Sequence, residues 1–159
     1  MITIIAQSLR IARTISYALG ADFDHEGYFA SDKYFITWTY GHMVEIETPH
    51  RDFWLKNKSF PFLTEDFPLS FAPSRHAMAR YQADPQLNVI KYLLAKSKKV
   101  IIATDPTPQG DLMGAYLLRY LCFDGKVVRI TLNDLMCDSI RNSIFFPYED
   151  KELLLSAKL

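Results

Sequence analysis

The chain has 159 residues, 49% of them hydrophobic and 14% aromatic, which excludes an intrinsically disordered protein and favours one domain with a buried core. Its 18 basic residues balance its 18 acidic residues, so no overall positive charge marks a nucleic-acid-binding protein. Any binding to nucleic acid would therefore need a local basic patch.

The N-terminus begins with a short apolar run, MITIIAQSLR. This run is too short for a signal peptide and has no cleavage site. Nowhere does the sequence reach the roughly 18 consecutive apolar residues that a membrane-spanning helix needs. We therefore expect a soluble, cytoplasmic protein that does not contact a membrane.

The N-terminal part of the chain predicts a strand, a helix and a hairpin. Residues 2–6 form a short β-branched apolar run, which is typical of a buried strand. Ser8 is a candidate N-cap for the apolar residues at helical spacing that follow, and Gly20 is a typical helix end. Residues 27–30 and 34–39 predict two strands joined by a short polar turn.

Residues 50–74 carry several prolines among many aromatic side chains. Prolines at that density prevent a central helix or strand, while the aromatic residues predict a segment that packs down. Hydrophobic periodicity then predicts a helix over 86–97, a strand over 100–104, a helix over 110–121, a strand over 126–131 and a helix over 133–143. This alternation predicts an α/β fold with a mostly parallel central sheet flanked by helices.

The C-terminal segment, YEDKELLLSAKL, predicts a helix that reaches Leu159 without a Gly, Asn or Pro to end it. We expect residues 1–148 to form the domain. Residues 149–159 would begin a further helix that leads to downstream domains. The alternative, a natural terminus at this point, stays open.

Several apolar residues are predicted to lie in the core. Cys122 and Cys137 stand beside apolar residues and lack CxxC spacing, so we interpret them as small core residues rather than a disulfide, a nucleophile or zinc ligands. Trp38 and Trp54 are also predicted to lie in the core. Leu112 is predicted to face inward from the helix over 110–121.

Two strand ends predict a ligand site. In open α/β sheets, ligands bind beyond the carboxyl ends of the strands, where the next helix presents free N–H groups. The two candidates are Ala6–Gln7–Ser8 and the segment TDPTPQGD over residues 104–111. The second segment is nearly neutral for such a position, because Pro106, Thr107, Pro108 and Gln109 carry no charge.

Four segments carry a resemblance to a known family: IIAQSLRIAR, ITWTYGHMVEI, VIIATDPTPQGDLMGAYLLRYL and KVVRITLNDL. In order and spacing they resemble the Toprim domain of type IA DNA topoisomerases, and the topoisomerase III branch in particular, from Ile2 to Ser156. The resemblance implies a Toprim-like (Rossmann-like) fold and single-stranded DNA as a partner. It also implies magnesium at the site and a tyrosine nucleophile on a downstream domain.

The first departure from the family pattern lies after the first strand. The family has Glu-Lys-Pro where this chain has Gln7, Ser8 and Leu9. The resemblance makes that Glu the residue that transfers a proton, and an amide cannot do so at neutral pH. Gln7 therefore stands at the catalytic position but is expected to be inactive.

The second departure lies in the acidic motif, which the family writes Thr-Asp-x-Asp-x-Glu-Gly-Glu. Asp105 is kept and Asp111 replaces the last Glu, but Thr107 and Gln109 stand at the other two acidic positions. Asp105 and Asp111 would hold magnesium only weakly, once DNA phosphates contribute, so no resident cofactor is expected. The alternative is that Asp105 caps the turn and Asp111 interacts with the helix dipole.

Arg13 and the pair Gly41–His42 match the family residue for residue. The resemblance implies that Arg13 and His42 contact nucleic acid. A solvated surface arginine and a structural histidine are the alternatives.

These observations leave three functional hypotheses. The first is the DNA-associated N-terminal Toprim domain of a topoisomerase-like protein, impaired or inactive by itself, since none of its nine tyrosines has a catalytic context. The second is a domain of a working metal-assisted topoisomerase, which uses Asp105 and Asp111 together with tyrosine-bearing downstream domains. The third is a protein-interaction module that binds no nucleic acid.

Overall fold

A six-stranded sheet forms the centre of the fold, and helices cover both of its faces. The computed structural model describes residues 1–41, 43–46, 69–71 and 77–147. The elements in chain order are β1 (Ile2–Ala6), α1 (Leu9–Leu19), β2 (Phe23–His25), β3 (Tyr28–Ala30), β4 (Tyr34–Trp38), β5 (Val44–Ile46), β6 (Leu69–Phe71), α2 (Ala77–Ala95), β7 (Lys99–Ala103), α3 (Pro108–Tyr120), β8 (Lys126–Arg129) and α4 (Cys137–Phe145).

The strands of the main sheet follow the order β2-β3-β4-β1-β7-β8. β1 pairs in parallel with both β4 and β7, and β7 pairs in parallel with β8. β2 and β3 add an antiparallel hairpin at one edge, while β5 and β6 form a separate two-stranded sheet. The predicted α/β fold, with a mostly parallel sheet flanked by helices, is confirmed.

The parallel strands end at the same level of the sheet. Ala6, the last residue of β1, pairs with Trp38 of β4 on one side and with Ala103 of β7 on the other. The residues that follow these three strands therefore meet at one edge, which is where α/β folds bind ligands.

Side chains alternate between two hydrophobic layers, because successive strand residues point to opposite faces. Ile4 packs with residues of α1 and α4, whereas its neighbour Ile5 packs with residues of α2 and α3. Both are completely buried. Burying one such side chain contributes about 1.5–3 kcal/mol.

The ends of α1 follow the predicted capping residues. The Ser8 hydroxyl accepts a hydrogen bond from the Ile11 N–H, at 3.4 Å. Gly20 adopts a left-handed conformation with φ 66°, and its N–H bonds back to the last turn. Both predictions are confirmed.

A buried amide connects α2 to the sheet. Gln86 is only 4% exposed, and the two N–H groups of its amide donate among three acceptors, the Gly27 carbonyl at 3.0 Å, the Thr37 hydroxyl at 2.8 Å and the Trp38 carbonyl at 2.8 Å. One side chain thereby joins α2 to β4 and to the turn before β3. Nothing in the local sequence pattern had indicated this role.

The predicted boundaries of two helices were wrong. α2 begins at Ala77 rather than at residue 86 and runs through Pro85. Pro85 is exposed and has no backbone N–H to donate to the preceding turn, yet the helix continues past it to Ala95. α4 begins at Cys137 rather than at residue 133, because the segment before it forms a turn in which Asp134 accepts hydrogen bonds from the Met136 N–H and the Ser139 hydroxyl.

Three short strands were missed. β2, β5 and β6 are three residues long each, which is too short to show a periodicity. β6 lies inside the segment over 50–74 that was predicted to be irregular, in a stretch without proline. The rest of that segment, with Trp54, lies outside the described residues.

Predictions for the core met mixed results. Trp38 is buried as predicted. Cys122 is exposed, because it stands in the turn after α3 with φ 54°, and Leu112 is 43% exposed. Cys137 is half-buried against the core. The helix over 149–159 lies outside the described residues, so the predicted domain limits stay predictions.

Candidate active site

Two residues that lie 98 positions apart meet where β1 and β7 end. The Gln7 Nε2 donates to the Asp105 Oδ2 at 2.5 Å, and the Asp105 N–H donates to the Gln7 Oε1 at 2.6 Å. After β4, the Thr39 hydroxyl donates to the Gln7 backbone carbonyl at 3.3 Å. The amide of Gln7 is thus bonded through both its oxygen and its nitrogen.

The chemistry of this pair depends on the amide. A neutral amide offers both a donor and an acceptor, so it satisfies the Asp105 carboxylate and backbone N–H together. A carboxylate at position 7 would face the Asp105 carboxylate at the same distance. The two charges would then repel each other unless a proton or a cation lay between them.

The turn that leads into α3 is organised by its own polar groups. Thr107 is the N-cap: its hydroxyl accepts the Gly110 N–H at 3.1 Å, and Pro108 follows at the first helical position. The buried Thr104 hydroxyl donates to the Gly110 carbonyl at 2.8 Å. A Cβ on Gly110 would lie 2.1 Å from the Asp105 carbonyl oxygen, so only glycine fits there.

Arg129, at the end of β8, forms hydrogen bonds and an ion pair with the same turn. Its Nε donates to the Asp111 Oδ1 at 2.8 Å, its Nη1 to the Thr104 carbonyl at 2.7 Å and its Nη2 to the Asp105 carbonyl at 2.5 Å. The Arg129 side chain is only 10% exposed. Sequence reasoning missed this residue, although a cation at the end of the predicted strand KVVR is the signal that would have indicated it.

The structure brings some of the predicted site residues together and not others. Gln7 and Asp105 are in contact, while the side chain of Asp111 turns to Arg129. Gln109 is exposed on the first turn of α3. Arg13 is exposed on α1. His42 lies outside the described residues, so its nucleic-acid contact stays a prediction.

The donor set does not fit a resident magnesium ion. Within residues 1–41, 43–46, 69–71 and 77–147, no three His, Cys, Asp or Glu side chains gather into a group that could hold a metal. One Asp105 oxygen accepts from Gln7 and one Asp111 oxygen accepts from a guanidinium, whose positive charge repels a cation. Magnesium requires a near-octahedral shell of hard oxygens. Weak metal binding by Asp105 and Asp111 stays a prediction.

Comparison with known proteins assigns the family. The sequence profile of the Toprim domain matches residues 3–135. The chain belongs to the Toprim domain family. The predicted resemblance is therefore confirmed at the level of the family.

Relatives of this Toprim domain are much longer proteins. It is 26% identical over 142 residues to DNA topoisomerase 3 of Bacillus thuringiensis (strain Al Hakam), covering 87% of this chain and 19% of that protein. It is 31% identical over 117 residues to DNA topoisomerase 3 of Staphylococcus aureus (strain USA300), covering 72% of this chain and 16% of that protein. The chain thus spans less than a fifth of these two relatives.

The fold of this Toprim domain is similar to part of the full-length topoisomerase I from Thermotoga maritima. The TM-score is 0.59 at 20% identity, and the match covers 92% of this chain and 21% of that chain. At this identity the likeness concerns the fold. In the part of the chain that the structure describes, no helix is both long and apolar enough to cross a membrane.

Proposed function

We propose that this Toprim domain is a DNA-associated module of a topoisomerase-like protein and that it is impaired or inactive in catalysis by itself. The observation that carries the proposal is the reciprocal hydrogen bonding between Gln7 and Asp105. The two residues of the pair satisfy each other's polar groups by hydrogen bonds. An amide stands where the resemblance implies a proton-transfer carboxylate, and it occupies one oxygen of Asp105.

A loss of acidic groups is compatible with binding to DNA. Carboxylates that lack a metal repel phosphate. Thr107 and Gln109 at the acidic positions therefore repel a nucleic-acid backbone less than the family's acids would. The Arg129 guanidinium stabilises the turn by hydrogen bonds to its carbonyls. In this proposal the site can bind DNA without carrying out catalysis.

The remaining parts of the proposal concern the parent protein. Because the chain spans about a fifth of the proteins it resembles, downstream domains with a tyrosine nucleophile belong to the proposal. Single-stranded DNA as the partner and the cytoplasmic location are parts of the same proposal. They rest on the resemblance and on the sequence.

Magnesium titration by calorimetry tests the impaired site. We expect no submillimolar binding to the wild-type chain and a gain of binding in the triple variant Gln7→Glu, Thr107→Asp, Gln109→Glu. Thr107→Asp keeps an N-cap, because aspartate caps helices as well as threonine does. The same variant with Asp105→Asn added is the control and should lose the gain.

Two results would contradict the proposal. Submillimolar magnesium binding by the wild-type chain that disappears in Asp105→Ala would favour the alternative, a working metal-assisted topoisomerase domain. Failure of the wild-type chain to bind single-stranded or duplex DNA at low salt would favour the protein-interaction module instead.

A further inference from the structure

The outer face of α1 carries a surface groove beside the candidate active site. Arg10, Arg13, Thr14 and Tyr17 line it together with Leu9. Their spacing of three, four and seven residues places them on one side of the helix. We call Arg10, Arg13, Thr14 and Tyr17 the α1 strip.

The α1 strip is a local basic patch on a chain with no net charge. The helix LRIARTISYAL contains two arginines and no acidic residue. Within the part of the chain that the structure describes, neither guanidinium is bound to another group. The positive end of the helix dipole lies at Leu9 and adds to this field. The patch therefore suits a polyanion.

Tyr17 gives the strip a second chemical character. Its side chain is 79% exposed, although a tyrosine ring offers a large apolar surface. The opposite face of α1 is packed into the core through Ala12, Ile15 and Ala18, so exposure of Tyr17 is a consequence of its position on the strip. Cations beside a free aromatic ring are the combination with which proteins bind single strands, by contacting phosphates and stacking bases.

We propose that the α1 strip binds a single strand of nucleic acid, with phosphates on Arg10 and Arg13 and one base stacked on Tyr17. A duplex suits the strip less well, because its bases are already stacked on one another. From Arg10 to Tyr17 the strip extends about 10 Å along the helix axis. Arg10 lies in the first turn of α1, three residues after Gln7, so the strand would run from α1 toward the Gln7–Asp105 pair. This inference rests on the proposed association with DNA and assigns it a surface.

Fluorescence anisotropy of the full chain with a labelled short oligothymidylate, at several salt concentrations, tests the strip. We expect Arg10→Ala and Arg13→Ala to lower the slope of log K against log salt by about 0.7 each. We expect Tyr17→Ala to weaken binding at least about fivefold, because one stacked base is lost. Tyr17→Phe keeps a ring and should bind like the wild type.

An abasic oligomer of the same length separates stacking from charge. It should bind more weakly than oligothymidylate and should not respond to Tyr17→Ala. All of these side chains are exposed or half-buried, and unchanged melting temperatures would show that the variants fold.

A matched control lies at the C-terminal end of α2, where Tyr92 is in the helix and Lys96 follows its last residue. The Lys96 Nζ lies 4.2 Å from the centre of the Tyr92 ring, which is 50% exposed, so this pair also combines a cation with an exposed aromatic ring. Tyr92→Ala and Lys96→Ala should leave binding unchanged. An equal loss of affinity in these variants would overturn the inference, because binding would then not be specific to the α1 strip.

The outcomes distinguish this inference from the proposed function. If the strip variants bind as tightly as the wild type, the α1 strip is not the binding surface, and the proposed association with DNA still stands. No binding of any oligomer by the wild type overturns both. Tighter, strip-dependent binding of oligouridylate than of oligothymidylate supports the strip and contradicts DNA as the partner.

Discussion

At the residue scale, the site differs from an acidic one by very few atoms. Replacing a carboxylate oxygen by an amide nitrogen at position 7 keeps the shape of the side chain and turns a repulsive contact with the Asp105 carboxylate into a hydrogen bond. The remaining oxygen accepts from the Asp105 N–H. Arg129 stabilises the same turn, because it neutralises Asp111 and donates to backbone carbonyls. Both arrangements stabilise the turn without a metal.

Arg129→Met tests how much the guanidinium contributes. The change leaves the Asp111 carboxylate and the carbonyls of Thr104 and Asp105 without their donor, so we expect a loss of about 2–4 kcal/mol in the free energy of unfolding. Urea denaturation measures it.

Arg141→Met is the matched control. Arg141 pairs with the exposed Asp138 at 3.3 Å and donates to the Ala18 carbonyl at 2.7 Å. Exposed pairs contribute little, so this change should cost about 1 kcal/mol. Equal losses in the two variants would mean that Arg129 has no special role in holding the turn.

At the element scale, single contacts decide how helices sit on the sheet. α3 approaches β7 so closely that a Cβ on Gly114 would lie 2.7 Å from the Ile102 Cγ2. α2 is attached by Gln86, whose amide reaches the turn before β3 and the end of β4. Because these contacts lie beside the carboxyl ends of the strands, they also support the geometry of the site.

Gln86→Leu tests the attachment of α2. Leucine fills a similar volume, but the carbonyls of Gly27 and Trp38 lose a buried donor, so we expect about 2–3 kcal/mol of destabilisation. Chemical denaturation followed by circular dichroism measures this loss. Asn88→Leu, at an exposed position of the same helix, should change stability by less than about 0.5 kcal/mol. A Gln86→Leu protein as stable as the wild type would contradict the role of the amide.

At the scale of the whole molecule, the candidate site lies at one edge of the sheet and the α1 strip leads away from that edge. The strands β1, β4 and β7 end there in register, and α1 starts from the same edge. A ligand bound at this edge therefore contacts residues from several separate parts of the chain. Its binding free energy adds to the stability of the fold as a whole.

The melting temperature reports this linkage for magnesium. In the wild type, Asp105 and Asp111 already bond to Gln7 and Arg129. We therefore expect millimolar magnesium to raise the melting temperature of the wild-type chain by less than about 1 °C. The triple variant Gln7→Glu, Thr107→Asp, Gln109→Glu should be less stable without magnesium and should gain several degrees with it. Calcium, which accepts looser shells, is a useful comparison. A wild-type shift as large as that of the variant would show that the surviving aspartates bind the ion.

Local sequence patterns predicted most of the elements that are long enough to show a period. β1, α1 and β7 follow from apolar spacing and from capping by Ser8 and Gly20. The three-residue strands were missed because their stability comes from partners in the sheet rather than from their own residues. The passage of α2 through Pro85 was missed because a proline locally indicates the end of a helix. Local energetics thus account for the correct part and tertiary contacts for the rest.

The sequence by itself determined the α/β class, the family resemblance and the uncharged stretch over 106–109, since these depend on residue types and on spacings along the chain. Only the tertiary structure decided that Gln7 bonds to Asp105 and that Arg129 holds Asp111. The reason is physical: Gln7 and Asp105 follow strands that come together in the sheet, and Asp111 lies on the helix beside the end of β8. Hydrogen bonds between such distant residues depend on strand register, which no local pattern encodes.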